Sequence, residues 1–341
     1  MPSRARALAL PGIAEIRAAA VRIKSTAVRT PLVRLDIARA AGLGTPAHHF
    51  RDVFLKLETT QPIGSFKIRG AANAMAVASP ESLADGVWTA SAGNMAQGVA
   101  WCARERGMKC RVIVPEHAPR AKTDAIMKLG AEFTKVPFEA WWQAMLTHAH
   151  PGMTGFMIHP FADTAVMAGN GTIGFELAED APDLDAVLVP WGGGGLALGI
   201  AAALREVSPR TKVYAVEVET AAPLTASLAA GKPVTVQRTQ TFIDGMGSDR
   251  VSDETWPLVH GLIAGTIVVT VAQVAAALKL LVETAGVTAE GAGAATVAAA
   301  LGGRVGGVEG ASLGAARVAC IISGGNINAD VVATIMRGAI P

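Results

Sequence analysis

The run Asp185–Val207, DAVLVPWGGGGLALGIAAALREV, decides the fold. It opens as a short apolar, β-branched segment ending at Pro190, the pattern of a buried strand, and from Leu196 its apolar residues recur as in a helix. Between the two stand Trp191 and the glycines Gly192, Gly193, Gly194 and Gly195. Glycines in a strand-to-helix turn let the backbone wrap closely around an anion, with free N–H groups and the helix dipole aimed at it. Phosphate is the favoured ligand. The loop is not a Walker loop, because no Gly-Lys-Ser/Thr follows, and not a Rossmann fingerprint, because no acidic ribose-binding residue follows a second strand at the right interval.

The same strand–helix unit recurs outward from this point in both directions. Strands are expected at Val53–Leu57, Val87–Ala90, Cys110–Pro115, Glu132–Pro137, Phe156–His159, Lys212–Val218, Thr266–Thr270 and Val318–Ile322. Helices are expected at Met95–Arg106, Pro119–Leu129, Glu139–Ala149, Val271–Ala285 and Ala329–Arg337. Such alternation implies βαβ units, hence parallel sheets with helices on both faces. Ligands of such sheets bind beyond the carboxyl ends of the strands. No internal repeat is apparent, and the Gly- and Ala-rich stretch Gly302–Gly314 reads as a surface loop.

The 341 residues suit two domains, at roughly 100–200 residues each. With 51% hydrophobic and 17% charged residues, disorder is excluded. Thirty basic against 28 acidic side chains leave a formal charge of +2, which argues against a nucleic-acid or anionic-membrane partner. No segment reaches the roughly 18 uninterrupted apolar residues of a membrane span; the nearest, Val271–Val287, contains Lys279 and Glu283. Cys102, Cys110 and Cys320 are odd in number and lack metal-ligand spacing. Near Arg4 and Arg6 the apolar stretch is interrupted by Pro11 and Glu15, so no secretory leader is read and a cytoplasmic location is the default.

Three further groups follow expected strands. In Gly64-Ser65-Phe66-Lys67-Ile68-Arg69-Gly70, Lys67 stands at the mouth of an Ala-rich helix, where the macrodipole favours the free amine that Schiff-base chemistry needs. In Ser91-Ala92-Gly93-Asn94-Met95-Ala96-Gln97-Gly98, Ser91 or Asn94 is expected to cap the helix, whose free N–H groups suit a carboxylate. Ser323, in Ile322-Ser323-Gly324-Gly325-Asn326, offers one neutral hydrogen bond above the sheet. A reactive lysine, a phosphate cradle, a carboxylate loop and a strand-end serine together match pyridoxal 5′-phosphate, whose aldehyde, phosphate and ring nitrogen each need a partner.

On these stretches, with His159-Pro160-Phe161 and Gly169-Asn170-Gly171-Thr172-Ile173 in the same order, the chain resembles the fold-type II pyridoxal-phosphate enzymes, within them the threonine/serine dehydratase group. The resemblance runs from about Thr30-Pro31-Leu32 to the end and implies a tryptophan synthase β-like α/β fold. Two doubly wound parallel domains would then hold the cofactor between them. They are expected at residues 1–84 plus 156–341 and at 85–155, the smaller inserted in the larger. No regulatory domain is expected after Pro341, and a homodimer is expected.

The resemblance also implies roles. Lys67 would carry the cofactor and move the Cα proton, with Phe66 against the ring and Asn94 on the ring hydroxyl. Gly192 to Gly195 and the N–H of Leu196 would hold the phosphate, and Ser323 would face the ring nitrogen. Ser91, Ala92, Asn94 and Gln97 would take the substrate carboxylate, with Glu290 and Met95 as secondary candidates. The reaction implied is loss of water from a β-hydroxy amino acid, giving an α-keto acid and ammonia. A neutral serine opposite the ring nitrogen favours elimination over transamination.

Departures sharpen that picture. Racemases of the group carry a hydroxyl residue where this chain has Ala92, so efficient racemisation is not expected. Met95 and Ile63 replace polar residues common in relatives. Relatives with a divalent metal pair a glutamate matching Glu217 with an aspartate six residues on; here that position is Pro223, and no metal site is expected. Phe138, Trp141 and Trp142 read first as core packing of their helix; lining the pocket instead, they would favour a bulky substrate such as phenylserine. The histidines lack a metal-binding trio, which leaves solvated or structural roles. β-Replacement, which needs an added thiol or similar nucleophile, and a non-catalytic pyridoxal-phosphate or amino-acid sensor remain the alternatives.

Overall fold

Runs that are apolar at every position need cover on both faces, and parallel strands provide it. In the computed structural model, described over residues 8–36, 50–302 and 316–341, these runs form two sheets. The strands are β1 (Leu32–Arg34), β2 (Phe50–Leu57), β3 (Val87–Ala90), β4 (Cys110–Pro115), β5 (Glu132–Val136), β6 (Phe156–Met157), β7 (Ala186–Pro190), β8 (Lys212–Val218), β9 (Ile263–Val269) and β10 (Ala316–Ile322). The larger sheet has the order β1-β2-β10-β7-β8-β9 and the smaller β5-β4-β3-β6. All pairings are parallel except β1 with β2, an antiparallel edge that the periodicity does not reveal.

Alternate residues of the central strands serve opposite cores. Val187, Val189, Ala319 and Ile321 pack under helices Thr164–Asp180 and Gly195–Val207, while Leu188, Val318, Cys320 and Ile322 pack under helices Val271–Leu280 and Gly291–Gly302. This is double winding, and it puts the carboxyl ends of the larger sheet's parallel strands, β2, β10, β7, β8 and β9, on one rim. Helix Thr164–Asp180 is absent from the sequence reading because Gly169, Gly171 and Gly174 look like turns. They are contact points: a Cβ at Gly169 would lie 2.3 Å from the Arg69 carbonyl oxygen, within helix Lys67–Val77.

Other boundaries move for local reasons. β6 stops at Met157, and β9 begins at Ile263, ahead of the expected start. The expected helix Val271–Ala285 is α-helical to Leu280 and then makes a π-turn closed by Gly286, with Lys279 and Glu283 paired at 3.7 Å. The loop expected at Gly302–Gly314 lies, beyond Gly302, outside the described residues, as do His48 and His49. Among the described residues, no helix is long and apolar enough to cross a membrane.

Candidate active site

Three of the singled-out loops meet because β2, β10 and β7 are neighbours. The segment after β10 lies on the segment after β2: Phe66 N–H donates to Ser323 O (3.0 Å), Gly325 N–H to Gly64 O (2.9 Å), and Asn326 Nδ2 to Ile63 O (2.9 Å). Lys67 is the first residue of its helix. Behind it, buried Arg69 grips Glu58 through Nε (2.8 Å) and Nη2 (2.8 Å), and Glu176 through Nη1 (2.6 Å) and Nη2 (2.9 Å). Lys56, also buried, joins this group by reaching Glu176 at 2.7 Å and Asp180 at 3.8 Å. Charges this deep persist only when paired.

The Lys67 amine donates to Pro160 O (2.6 Å) and lies 5.1 Å from the centre of the Phe66 ring. Burial pushes it down to about 8, with the carboxylate of Glu290 opposing. Burial, rather than the helix dipole invoked from sequence, is the leading cause. Glu290, buried before helix Gly291–Gly302, is itself raised by burial to about 7, with Asn94 pulling the other way. Asn94 Nδ2 donates to both Glu290 oxygens (3.0 and 2.9 Å), and Asn94 Oδ1 accepts from Asn326 Nδ2 (2.8 Å). A residue at the helix start after β3 of the smaller sheet is thus tied to Asn326, just past β10 of the larger sheet, and to Glu290, just before helix Gly291–Gly302. Contrary to the expectation from sequence, neither Ser91 nor Asn94 caps the helix: Gly93 is the N-cap with no side-chain cap, and Ser91 Oγ accepts from Gly93 N–H (3.2 Å). The serine is drawn into its own turn, which leaves the helix-start amides open.

Past β7, Gly194 adopts φ 91° as N-cap of helix Gly195–Val207, a left-handed position suited to glycine. A Cβ on Gly193 would sit 2.1 Å from the Phe161 ring, so the loop closes down on that aromatic floor. Asn170 Nδ2 donates to Gly195 O (3.2 Å) and anchors the loop from helix Thr164–Asp180. Among the described residues, buried Ser323 Oγ and Ser65 Oγ have no hydrogen-bond partner, and neither has the indole nitrogen of Trp191 beneath the glycines. Buried hydroxyls without partners are costly and point to a group that completes them.

Met95 is buried at the start of its helix. Gln97 N–H bonds Gly93 O within the first turn. Trp141, Trp142 and Phe161 pack on Trp88, Ala90, Ile113, Val136, Ala144 and Met145, whereas Phe138 is exposed. Glu217, raised by burial, accepts from Leu224 N–H (2.7 Å), Thr225 N–H (2.8 Å) and Thr225 Oγ1 (2.6 Å), and so caps helix Pro223–Ala230. Among the described residues, no group of three or more His, Cys, Asp or Glu is placed to hold a metal ion.

Sequence reasoning missed Pro160, Phe161, Asn170, Asn326 and the Glu58–Arg69 pair as parts of this site. All but Glu58 lie within the motifs named above, yet a backbone acceptor, a ring beneath a loop or a buried ion pair leaves no mark in one sequence. The donor set fits a phosphorylated aldehyde cofactor: an amine near neutrality, a glycine cradle at a helix start and an orphaned buried hydroxyl between them.

Residues 23–324 match the family model described as "Pyridoxal-phosphate dependent enzyme". The chain is 38% identical over 302 residues to an L-threonine ammonia-lyase of Geobacter sulfurreducens, covering 86% of this chain and 73% of that one. Among solved structures, maize serine racemase superposes with a TM-score of 0.82 at 31% identity, over 97% of this chain and 98% of the other. The processed form of threonine deaminase isoform 2 from Solanum lycopersicum does so with 0.78 at 29% identity, over 99% and 92%.

Proposed function

The chain belongs to the pyridoxal-phosphate dependent enzymes, in the fold-type II group of threonine and serine dehydratases, and on that premise we propose that it removes water from a β-hydroxy amino acid to yield an α-keto acid and ammonia. The observation that carries this reading is the pairing of two loops, one ending at a lysine amine lowered to about 8 and the other at a neutral serine hydroxyl without a partner among the described residues, through the bond from Phe66 N–H to Ser323 O (3.0 Å). We also take residues 85–155 as the inserted smaller domain.

Bound here, pyridoxal phosphate supplies an electron-withdrawing ring conjugated to the substrate nitrogen, which acidifies the Cα–H and lets a β-hydroxyl leave. The chain's residues do the rest. Lys67 anchors the cofactor and, as a free amine, takes the Cα proton while the β-hydroxyl is lost as water. The N–H groups of Gly192 to Gly195 and Leu196 hold the phosphate at a helix start. Phe66 would pack beside the ring. Ser323 Oγ would face the ring nitrogen as a neutral partner and so would not keep it protonated. The open amides around Ser91, Ala92 and Asn94, with Gln97, hold the substrate carboxylate. Asn94 is kept in place by Glu290 and Asn326.

The finer reading is a preference for a bulky β-substituent. Met95 and Ile63 are buried and apolar, and Trp141 and Phe161 share a cluster with Ala90, the residue before Ser91. L-threo-Phenylserine is then a better substrate than L-threonine. Comparing kcat/KM for the two, scored as keto acid and ammonia released without added thiol, tests both levels. Release from neither substrate ends the dehydratase reading, and a clear threonine preference ends only the finer one.

A further inference from the structure

The turn His159–Ala162 touches both halves of the site. Its Pro160 carbonyl accepts from the Lys67 amine (2.6 Å), and its Phe161 ring lies where a Cβ on Gly193 would fall, 2.1 Å away. One side chain organises it. His159 is buried; its Nδ1 accepts from Ala162 N–H (2.7 Å) and Phe161 N–H (3.3 Å), and its Nε2 faces Met145 O (3.1 Å). Accepting at Nδ1 requires that nitrogen to be unprotonated, which leaves the ring proton on Nε2 as the donor to Met145.

The groups around the imidazole agree with a neutral ring. His148 stacks on it with centroids 4.4 Å apart, and the Phe161 ring meets it edge-on at 4.6 Å. His148 in turn faces Glu254 Oε2 at 3.2 Å. Burial first, then His148 and Lys67, lower His159 to about 3, with the Met145 contact opposing.

We propose that His159 is a positioning residue for Lys67: by holding the amides of Phe161 and Ala162 it fixes the turn that presents the Pro160 carbonyl to the Lys67 amine and sets the Phe161 ring under the glycine loop. Without that acceptor the buried N–H of Ala162 and the partly buried N–H of Phe161 lose their partner, and the turn shifts to satisfy them. The amine then loses its fixed direction while the phosphate cradle keeps its own backbone. A misplacement of about 1 Å at a reacting group lowers rates by up to about 100-fold. The inference rests on Lys67 being the cofactor-bearing residue of the proposed function.

Two substitutions separate the bonds of this imidazole. His159→Asn puts an oxygen near the Nδ1 position and keeps the acceptor for the turn; His159→Gln reaches the Nε2 position and keeps the contact with Met145. The holoenzymes are compared by steady-state kinetics, by the pH midpoint of the cofactor absorbance band and by hydride trapping at Lys67. The Asn variant is expected within about threefold of the parent. The Gln variant is expected to lose kcat by about 30-fold with KM little changed, and to move the absorbance midpoint. A Gln variant as good as the Asn variant, or two variants losing stability with unmoved midpoints, overturns the proposal. A parent that traps no adduct at Lys67 overturns the functional reading itself. Independently of folding variants, ¹⁵N NMR of the unsubstituted protein is expected to show His159 as the Nε2–H tautomer from about pH 5 to 9; an Nδ1–H tautomer overturns the proposal.

Discussion

Arg69 donates two parallel hydrogen bonds to Glu58, Nε to Oε2 and Nη2 to Oε1, both 2.8 Å long, and so closes the loop that carries Lys67. The pair is buried and its remaining donors reach Glu176 and Val28 O. Breaking one partner leaves an uncompensated charge in the interior. Arg69→Leu is therefore expected to lower unfolding free energy by about 3–5 kcal/mol. A fall in the denaturant midpoint at unchanged m-value checks it; an unchanged midpoint contradicts it.

The depressed Lys67 sets a pH dependence. The neutral amine is the nucleophile toward an aldehyde, and with Lys67 at about 8 roughly a quarter of it is neutral at about pH 7.5, against about one part in a thousand for an ordinary lysine. The rate at which apoprotein takes up pyridoxal phosphate is expected to rise through a midpoint near 8. A midpoint near the ordinary lysine value contradicts the burial argument.

Glu290 gives the opposite sign in stability. Its folded value, about 7, lies above the ordinary carboxylate value of 4.5, so its contribution is intact below that ordinary value and is lost as pH rises through the folded one. Glu290→Gln is expected to stabilise the apoprotein at about pH 8 by up to about 3 kcal/mol, at about 1.4 kcal/mol per unit, and to do little below about pH 4.5. Melting curves at the two pH values check it. The same substitution removes the charge that raises Lys67, so the uptake midpoint moves down.

Gly193 has room for nothing larger. With the Phe161 ring 2.1 Å from its Cβ position, Gly193→Ala must displace either the ring or the loop. Cofactor affinity is expected to fall at least about tenfold, or about 1.4 kcal/mol, and adding Phe161→Ala is expected to recover part of it. Equal affinities for parent and Gly193→Ala, measured by dialysis against pyridoxal phosphate, refute the cradle.

Ser323 distinguishes the two states of the protein. Its buried hydroxyl has no partner among the described residues, so Ser323→Ala is expected to leave the apoprotein as stable as before or slightly more so. In the holoenzyme the same change removes a bond to the cofactor, and the melting temperature is expected to fall. A destabilised apoprotein means the hydroxyl serves the fold.

Glu217 has its oxygens taken by the start of helix Pro223–Ala230, at 2.6–2.8 Å. Chelator treatment is accordingly expected to leave turnover unchanged, while Glu217→Gln costs about 1–3 kcal/mol of stability. Activity lost to chelator and restored by magnesium contradicts this.

Much of this architecture is legible in the sequence because local and tertiary demands agree there. Strands Val87–Ala90, Cys110–Pro115 and Lys212–Val218 fall where the apolar runs put them, since each run is bounded by turn residues and buried on both faces. Helix Thr164–Asp180 is not legible, because its glycines Gly169, Gly171 and Gly174 make room for the carbonyls of Arg69, Gly199 and Ile200, a tertiary fact. Lys67, Asn94, the glycine loop and Ser323 stand out as residue types with a chemical purpose. Pro160 does not, because what it contributes is a carbonyl that every residue has; only the fold aims it.

The central claim is that the ε-nitrogen of Lys67 binds pyridoxal phosphate covalently. Holoprotein is treated with borohydride, digested and mapped by mass spectrometry. The account predicts loss of the absorbance band and a pyridoxyl-phosphate increment on the peptide containing Lys67, both absent in Lys67→Ala. A chain that takes up no colour from pyridoxal phosphate, or that carries the increment on another lysine, contradicts it.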